Sequence, residues 1–306
     1  MKKSTKILTA VLVLLGVVYA IQRLTYTTST TENSNPFSKF DTSKVNKITV
    51  GNPLNGKEVV IARESHGWFI VNPLQFPANK SQINLLLSAV ASNPSASVVS
   101  DNLADTLAYG LGAGAPTLTI AENDQKQILL RVGNVTPDFD GCYVEKYGDR
   151  KILDLTRNIR SFATQSLSDW RDKQIFDFVL ENIQAADFAI GDTLYHFIHN
   201  DTSWQVNGNE IPLTKVQDIV GNFIGTMAMD FVDTSLAGEK NLVDFGFSLA
   251  NGTREAGKVM TLAQQTFVLN STNGQTYLIG SLIADDLVKG LREINRDYLN
   301  TGTAKK

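Results

Sequence analysis

The sequence predicts an α+β protein in which two related units of mainly antiparallel sheet with a few helices follow an N-terminal transmembrane helix. Three observations predict this class. Segments rich in β-branched residues alternate apolar and polar side chains, as in residues 47–52 ("KITVGN") and 57–64 ("KEVVIARE"). The segment around Trp68 recurs around Trp204, and a basic leader precedes a long apolar run near the N-terminus. Segregated strands and helices are typical of α+β domains.

The apolar run covers residues 7–21 ("ILTAVLVLLGVVYAI") and follows three lysines. As a helix it spans about 22 Å, so Lys6, Arg23 and Leu24 would extend it towards a hydrocarbon core of ~30 Å. The anchor side chains expected in the lipid are Ile7, Leu12, Leu14, Leu15 and Val18. The lysines predict a cytoplasmic N-terminus. We therefore expect a single-pass protein of a bacterial inner membrane, with residues 25–306 on the periplasmic or extracytoplasmic side.

A cleaved signal peptide is the alternative interpretation of the same run. Val18, Tyr19 and Ala20 offer small or medium side chains at the positions that a signal peptidase recognises. Both interpretations export the rest of the chain. Residues 25–36 ("TYTTSTTENSNP") are polar and lack periodicity, so we expect a solvated tether there.

Composition excludes several classes of function. The net charge of −3 provides no basic surface for the phosphates of nucleic acid, so we expect no nucleic-acid partner. Cys142 is the single cysteine, which excludes an intramolecular disulfide and a multi-cysteine metal site. We expect it to be a small buried side chain. The sequence predicts no metal, no cofactor and no defined catalytic residue.

The chain repeats itself at low identity. "HGWFIVN" around Trp68 resembles "DTSWQVNG" around Trp204, and "LAYGLGAG" with Gly110 resembles "VDFGFSLA" with Gly246. The same number of residues separates the tryptophan from the glycine in each pair. Equal spacing of similar segments indicates a duplicated structural unit.

The beginning and end of each unit also match. Phe40 precedes Val45 by five residues, and Phe178 precedes Ile183 by five. Near the end, Gly148 aligns with Gly274. The second copy is shorter, and the missing residues are assigned most simply to the hairpins between residues 116 and 143.

These matches give the predicted organisation of the chain. Residues 1–24 form the anchor or signal peptide, and residues 25–39 form the tether. The first α+β unit covers residues 40–172 and the second covers residues 173–300.

Each unit is expected to open with three strands and then a helix. Asn79, with Gln82 three residues later, predicts the N-terminus of the first helix, and Thr214 with Gln217 predicts that of the second. In the first unit a short strand at Val98 and Val99 should follow. A short helix over residues 103–109 should then end at Gly110 in a left-handed conformation. Further strands lead to a closing helix over residues 159–167.

The isolated polar residues of the sequence do not indicate a metal site or a phosphate-binding loop. His196 and His199 lie three apart in a strand, which sends their side chains to opposite faces and disfavours a shared metal. Asp138 and Asp140 precede Gly141 like part of a calcium loop, but the glutamate that completes such a loop is absent, so a hairpin turn is expected. Residues 110–116 ("GLGAGAP") are interpreted as a helix stop and a loop.

The segment "SDWRDKQIFDF" ends one unit and begins the next. Its candidate interaction residues, which we call the seam, are Trp170, Arg171, Asp172 and Lys173; Tyr109 and Gly110 are candidates in the first unit. We expect Trp170 and Tyr298 to be equivalent buried anchors, and the seam charges to form exposed pairs worth ~0–1 kcal/mol. On this interpretation Trp170→Ala destabilises the protein, whereas Asp172→Asn has little effect.

The pattern resembles an uncharacterised bacterial family, domain of unknown function 4340. The resemblance rests on "GWFIV", "DTLAYGLGAGAPTLTI", "LRVGNVTPDFDGCYVEKYGDRKILDL" and "DWRDKQIFDF", and it covers most of residues 40–190. The chain keeps Tyr109-Gly110-Leu111, Gly133 and Tyr143 of the family pattern but inserts residues 112–115 before Pro116. The resemblance implies an envelope protein, often encoded with ABC-transporter components similar to those of gliding motility. It implies no known activity.

One leading hypothesis and two alternatives follow. The leading hypothesis is a membrane-anchored, non-enzymatic envelope protein that binds a protein partner, as an accessory of an ABC-transporter-type complex. The alternatives are a hydrolase of envelope polymer or lipid that uses carboxylates such as Asp138, Asp140, Asp169 and Asp172, or a protein that binds a small ligand between its two units.

Overall fold

The computed structural model describes residues 34–38, 40–52, 57–123, 126–200, 202–234, 236–270 and 272–299. The chain divides into two compact units, and the boundary falls between Asp172 and Lys173. The predicted anchor, with Ile7, Leu12, Leu14, Leu15 and Val18, lies outside the described residues. Within the described ranges, no helix has the length and apolar character needed to span a bilayer.

Unit 1 is built on one antiparallel sheet. Its strands are β1 (Val45–Asn52), β2 (Lys57–Glu64), β3 (Gly67–Asn72), β4 (Phe76–Pro77), β5 (Ala96–Ser100), β6 (Thr117–Glu122), β7 (Lys126–Val135), β8 (Cys142–Lys146) and β9 (Ile152–Leu155). Their order across the sheet is β4-β3-β2-β1-β6-β7-β8-β9-β5. Apolar side chains alternate with partly exposed ones along β3 and β6, so one face of the sheet is buried.

Unit 2 repeats this topology strand for strand. Its strands are β10 (Ile183–Ile190), β11 (Thr193–Asn200), β12 (Ser203–Val206), β13 (Asn209–Ile211), β14 (Asp230–Val232), β15 (Lys240–Leu249), β16 (Arg254–Leu262), β17 (Gln265–Asn270) and β18 (Gln275–Ile279). Their order is β13-β12-β11-β10-β15-β16-β17-β18-β14. The prediction of an α+β protein with two units of antiparallel sheet is therefore confirmed.

The helices are few and short. Unit 1 contains α1 (Lys80–Ala91), α2 (Arg160–Ala163), α3 (Leu167–Trp170) and 3₁₀ turns at Thr42–Lys44 and Leu103–Leu107. Unit 2 contains a 3₁₀ turn at Leu180–Asn182, α4 (Leu213–Val216), a π-helical segment Gln217–Gly221, α5 (Asn222–Ile224), α6 (Ser281–Ile294) and a π-helical segment Asn295–Leu299. Helix α6 buries Ala284, Leu287, Leu291 and Ile294, whose spacing places them on one face.

Strand register fixes which residues of the two units correspond. β1 pairs with β6 and β10 pairs with β15, and the register shifts directly after Val45 in the first pair and after Ile183 in the second. Trp68 stands opposite Arg63, and Trp204 stands opposite His199. The predicted equivalence of the two tryptophans, and of the first strands that begin at Val45 and Ile183, is therefore confirmed. Gly148 and Gly274 also lie in equivalent hairpins, each with a positive φ.

The predicted equivalence of Gly110 and Gly246 is wrong. Gly110 lies in the loop before β6 and has φ of 73°, whereas Gly246 lies inside β15 opposite Asp187. The units differ in length mainly in the connection before this strand, which covers residues 101–116 in unit 1 and only residues 233–239 in unit 2. The missing residues are therefore mostly not in the hairpins after Pro116, where we expected them.

Two predicted helices also differ from the structure. Thr214 lies inside α4, whose N-cap is Pro212, whereas Asn79 does cap α1 by accepting a hydrogen bond from the Gln82 amide. The ring of Pro212 already fixes φ near the value of a helix. Helix α4 therefore begins at Leu213, before the predicted capping residues Thr214 and Gln217. The single closing helix predicted over residues 159–167 is instead the two short helices α2 and α3.

The two cores use different side chains. Unit 1 buries mainly aliphatic residues, such as Ile48, Ile61 and Leu118, together with Trp170. Unit 2 buries a phenylalanine cluster with ring centroids 5.2–6.3 Å apart. The cluster consists of Phe176, Phe178, Phe188, Phe223, Phe245 and Phe247. Edge-to-face packing of such rings adds to the stabilisation from burial alone.

Candidate functional site

The end of unit 1 runs along the outer edge of strand β4. The amide of Asn79 donates to the carbonyl of Trp170 at 2.7 Å, and the amide of Asp172 donates to the carbonyl of Pro77 at 2.9 Å. Arg171 stands opposite Ala78 in this antiparallel bridge. We call Trp170–Asp172 the closing strand, because these residues pair with an edge that would otherwise expose unpaired backbone groups.

The closing strand buries its two largest side chains. Trp170 is fully buried, and its indole Nε1 has no hydrogen-bond acceptor among the residues that the structure describes. Arg171 is only 2% exposed, and its guanidinium lies 5.2 Å from the centre of the Phe76 ring. The expectation of exposed charge pairs is therefore wrong for Arg171, because the strand pairing carries its side chain inward and onto an aromatic face.

The other seam residues divide between the units. Asp172 is partly buried and belongs to unit 1. Lys173 opens unit 2, where its carbonyl accepts from the Ala228 amide at 2.7 Å and its Nζ lies 3.5 Å from the Met229 carbonyl. Tyr298 is only partly buried, unlike Trp170, so the two residues are not equivalent buried anchors. The seam residues thus have structural roles. Trp170, Arg171 and Asp172 contact residues of unit 1, and Lys173 contacts residues of unit 2.

A second candidate site surrounds Tyr109 and Gly110. The Tyr109 ring meets the Tyr143 ring edge-on, with centroids 4.6 Å apart. The Tyr109 carbonyl accepts from the Asn134 amide at 2.8 Å. A Cβ on Gly133 would lie 2.3 Å from that same carbonyl, so only glycine permits this approach. Three segments of the family pattern that are separated in sequence therefore meet at one place.

Carboxylates line the same side of unit 1. Asp154 stands opposite Tyr143 in the pairing of β8 with β9. Burial raises the pKa of the Asp154 carboxyl, and the nearby charge of Asp138 raises this pKa further. A hydrogen bond from the Thr136 hydroxyl lowers the pKa of Asp138. Burial, followed by the charge of Asp154, raises the pKa of the Tyr143 phenol.

The predicted hairpin turn at Asp138 and Asp140 is confirmed. The Asp138 carboxylate accepts from the Asp140 amide, and Phe139 between them adopts a φ of 66°. Asp169, another carboxylate considered for the hydrolase, has a structural role instead. It forms a capping box with Ser166 at the start of α3. Asp154 is the carboxylate that sequence reasoning missed, because only strand register brings it to Tyr143.

The two equivalent tryptophans each carry a flat side chain on their ring. The Arg63 guanidinium lies 5.2 Å from the centre of Trp68, and the His199 ring stacks on Trp204 with centroids 4.6 Å apart. Both indoles are largely buried, as expected for core anchors. The partner stacked on each indole is a feature that the sequence repeat alone did not indicate.

The predicted placement of His196 and His199 on opposite faces of a strand, and the predicted burial of Cys142, are confirmed. His196 lies beside Asp187, with Nδ1 and Oδ1 2.5 Å apart, and His199 lies on the other face of β11 against Trp204. Burial raises the pKa of the Cys142 thiol, which is fully buried. Among the described residues, no group of three or more His, Cys, Asp or Glu side chains is arranged to hold a metal ion.

Comparison with known proteins identifies a family but no close relative. No curated protein and no solved structure matches the chain significantly. A family model described as "Domain of unknown function (DUF4340)" matches residues 68–247, from Trp68 in β3 to Phe247 in β15. This match covers more than half of the chain and extends into both units. The chain therefore belongs to the DUF4340 family.

Proposed function

We propose that this chain is an exported envelope protein that is held at the inner membrane by residues 7–21 and binds a partner protein without catalysing a reaction. The proposal is supported by four residues that we call the tyrosine surface: the paired Tyr109 and Tyr143, and the exposed Leu107 and Phe139, which lie within four residues of them in sequence. Leu107 is 79% exposed and Phe139 is 78% exposed. Large exposed apolar side chains around a fixed tyrosine pair are typical of protein interfaces.

Backbone contacts position the two tyrosines of this surface. Gly110 adopts a left-handed φ directly after Tyr109, and the Arg160 guanidinium donates to the Gly133 carbonyl at 2.6 Å. Tyr143 is fixed by the pairing of β8 with β9. Aromatic side chains that are already ordered lose little conformational entropy on binding, which favours their use as anchors.

The partner class rests on the sequence. The basic leader and apolar run favour placement at the inner membrane, and the family resemblance favours a neighbouring ABC-transporter-type complex. We therefore propose that the partner is a subunit of such a complex, with this chain as its accessory on the exported side.

Site-specific photo-crosslinking tests the proposal. A photoreactive phenylalanine analogue replaces Phe139 in the full chain in bacterial membranes, and Leu194, an exposed residue of β11 that is 54% exposed, serves as the matched control position. We expect a covalent product with an ABC-transporter subunit from position 139, lost in a Tyr109→Ala Tyr143→Ala background. The same product from position 194, or none from position 139, would contradict the proposal.

A second candidate function is favoured by the pKa values of Asp138 and Asp154. Their environments shift the two carboxyl pKa values in opposite directions, as in the acid and base pairs of hydrolases. A hydrolase of envelope polymer or lipid would use Asp154 as the proton donor to the leaving group and Asp138 as the base that activates water. Incubation of the chain with purified cell-wall polymer and with phospholipid vesicles tests it. Turnover that Asp154→Asn abolishes supports this candidate, and absence of turnover removes it.

A further inference from the structure

A groove at one end of the unit 1 sheet is lined by lysines. Its volume is about 500 Å³, and its cationic lining consists of Lys126, Lys146 and Lys151. The segment that begins the described part of the chain, with Ser34 and Phe40, forms another wall. We call this feature the lysine groove.

Strand register brings the three lysines to one face of the sheet. Lys126 and Leu130 lie four residues apart in β7, so they share a face, and Lys146 of β8 stands opposite Leu130. The pairing of β8 with β9 ends just before Lys146, and its register places Lys151 across the hairpin from Lys146. Lysines from two different hairpins therefore line one groove.

Lys126 has an anionic partner of its own. Its Nζ lies 3.0 Å from Glu122 Oε1 and 5.0 Å from the centre of the Phe40 ring. Lys126 thus contacts the wall that the N-terminal segment forms. The charge that remains for a ligand comes from the other two lysines.

Lys146 and Lys151 lack such a partner in the described part of the chain. No carboxylate there forms an ion pair with either lysine, although Asp149 also lines the groove. Like charges that stand opposite each other in antiparallel strands are destabilising. An anion bound between the two ammonium groups would offset this repulsion.

The hairpin that carries these two lysines is basic. Residues 146–151 ("KYGDRK") contain three cationic side chains and one carboxylate. Tyr147 in this hairpin is 78% exposed. Tyrosine is enriched at membrane–water interfaces, and clustered basic side chains attract anionic headgroups. The composition of the hairpin therefore favours a lipid surface as the source of the anion.

The equivalent hairpin of unit 2 carries no charge. Gly148 and Gly274 occupy equivalent positions, and residues 270–275 have the sequence "NSTNGQ". The shared fold therefore does not require a basic hairpin. Its charge is confined to the unit that follows the N-terminal apolar run.

The N-terminal segment keeps the lysine groove close to the predicted anchor. The Ser34 amide donates to the Ala96 carbonyl at 3.2 Å, and Phe37 is buried, so both residues are fixed to unit 1. Residues 22–33 separate Ser34 from the apolar run 7–21, and a chain of this length reaches at most ~40 Å. The groove wall at Ser34 therefore lies within this distance of a membrane that holds the run.

We propose that the lysine groove binds the phosphate headgroup of an anionic phospholipid in the membrane that the predicted anchor enters. Lys146 and Lys151 hold the phosphate, and Tyr147 lies among neighbouring headgroups. The proposal rests on the proposed placement at the inner membrane. Lys146 and Tyr143 lie three apart in β8 and hence on opposite faces, which leaves the tyrosine surface to the partner protein.

Quenching by lipid headgroups tests the proposal. The full chain with Tyr147→Cys is labelled with a fluorophore and reconstituted in phosphatidylcholine vesicles, with or without phosphatidylglycerol, that contain a headgroup-linked nitroxide quencher. Cys142 is fully buried, so only position 147 reacts in the folded chain. We expect quenching about tenfold greater with phosphatidylglycerol, because each basic side chain adds attraction to an anionic surface.

Matched variants locate the effect. Lys146→Glu Lys151→Glu should lose the extra quenching. Lys47→Glu Lys80→Glu makes the same change in net charge at exposed lysines outside the groove, and it should keep the extra quenching. A fluorophore at the exposed Asn273, in the corresponding hairpin of unit 2, should not respond to phosphatidylglycerol. Thermal unfolding close to that of the parent confirms that both double variants are folded.

Equal quenching in the two kinds of vesicle, or equal loss in the two double variants, would overturn the proposal. Thermal stabilisation of the chain by glycerol phosphate, without extra quenching by phosphatidylglycerol, would assign the groove to a soluble phosphate and would also overturn it.

Flotation with pure phosphatidylcholine vesicles tests the anchor separately. A chain that floats with them but shows no extra quenching retains the anchor and loses the lipid site. A chain that floats and is quenched only with phosphatidylglycerol loses the anchor and retains the lipid site.

Discussion

Unit 1 covers the outer edge of β4 with its own closing strand, whereas the corresponding edge of β13 in unit 2 lies beside a groove and meets no strand from the described part of the chain. The two sheets otherwise share their strand order and even the position of a register shift. The difference teaches that one framework can have its edge closed by an added strand in one copy and, as far as the chain is described, not in the other. The two units differ at this edge, yet each keeps its own buried core.

The cores diverge as well. Unit 1 fills its interior with aliphatic side chains and Trp170, while unit 2 fills its interior with the phenylalanine cluster. Both solutions satisfy the same backbone topology, so the apolar pattern matters more here than the identity of the buried side chains.

The largest effect should come from the closing strand. Trp170→Ala removes a fully buried indole and is expected to destabilise unit 1 by ~3–5 kcal/mol. Tyr298→Ala, at the end of unit 2, should cost less because Tyr298 is only partly buried. Urea unfolding followed by circular dichroism measures both. Equal losses would mean that the two units close in the same way.

A smaller effect separates the two glycines that the sequence pattern aligned. Gly110→Ala forces alanine into a φ of 73° with its Cβ 2.3 Å from the Asn134 Oδ1, and we expect a loss of ~1–3 kcal/mol. A Cβ on Gly246 meets its nearest neighbour only at 3.9 Å, so Gly246→Ala should change stability by less than ~0.5 kcal/mol. Similar losses of stability for Gly110→Ala and Gly246→Ala in thermal unfolding would contradict the conclusion that these glycines occupy different environments.

The helix starts give a third contrast. Asn79→Ala removes the cap of α1 and should cost ~1 kcal/mol. Thr214 lies exposed inside α4, so Thr214→Ala should be neutral or slightly stabilising, since alanine has the higher helix propensity. Chemical denaturation of both variants checks this pair. A loss of ~1 kcal/mol in Thr214→Ala would show that it caps its helix after all.

The smallest effect concerns Asp154 and depends on pH. Its pKa in the folded chain lies above the ordinary value of 3.8, so the folded state holds this proton more tightly than the unfolded state. The stability that this proton contributes is present below pH 3.8 and is lost as the pH rises through the raised folded-state pKa. Asp154→Asn should therefore be slightly more stable than the parent at neutral pH.

Thermal unfolding from about pH 3 to about pH 8 measures this difference, which should close on acidification. Asp149→Asn, at an exposed aspartate of the same unit, serves as the matched control variant. A parent that is more stable than Asp154→Asn at neutral pH would contradict the direction of the shift.

Local patterns predicted much of the fold. The alternating strands, the Asn79 cap, the alignment of Gly148 with Gly274 and the first strands beginning at Val45 and Ile183 all depend on residues close in sequence. The pairing of Gly110 with Gly246 failed because glycine serves both as a left-handed residue and as a strand residue, and spacing alone does not distinguish these uses.

The candidate sites were predicted less well, for a physical reason. Arg171 looks exposed in a charged segment, but pairing with the distant strand β4 buries it against Phe76. Asp154 meets Tyr143 only through the register of β8 and β9, and Tyr109 meets Tyr143 across a long connection. Contacts that depend on register cannot be derived from the composition of either partner.

Hydrogen exchange of individual backbone amides tests the difference between the two edges most directly. The amides of Asn79 and Asp172 donate across the closed edge of unit 1, so they should exchange slowly. The Glu210 amide should exchange rapidly, because alternation along β13 directs its N–H away from β12. A Glu210 amide as slow as that of Asp172 in the free chain, or a rapidly exchanging Asp172 amide, would contradict this account.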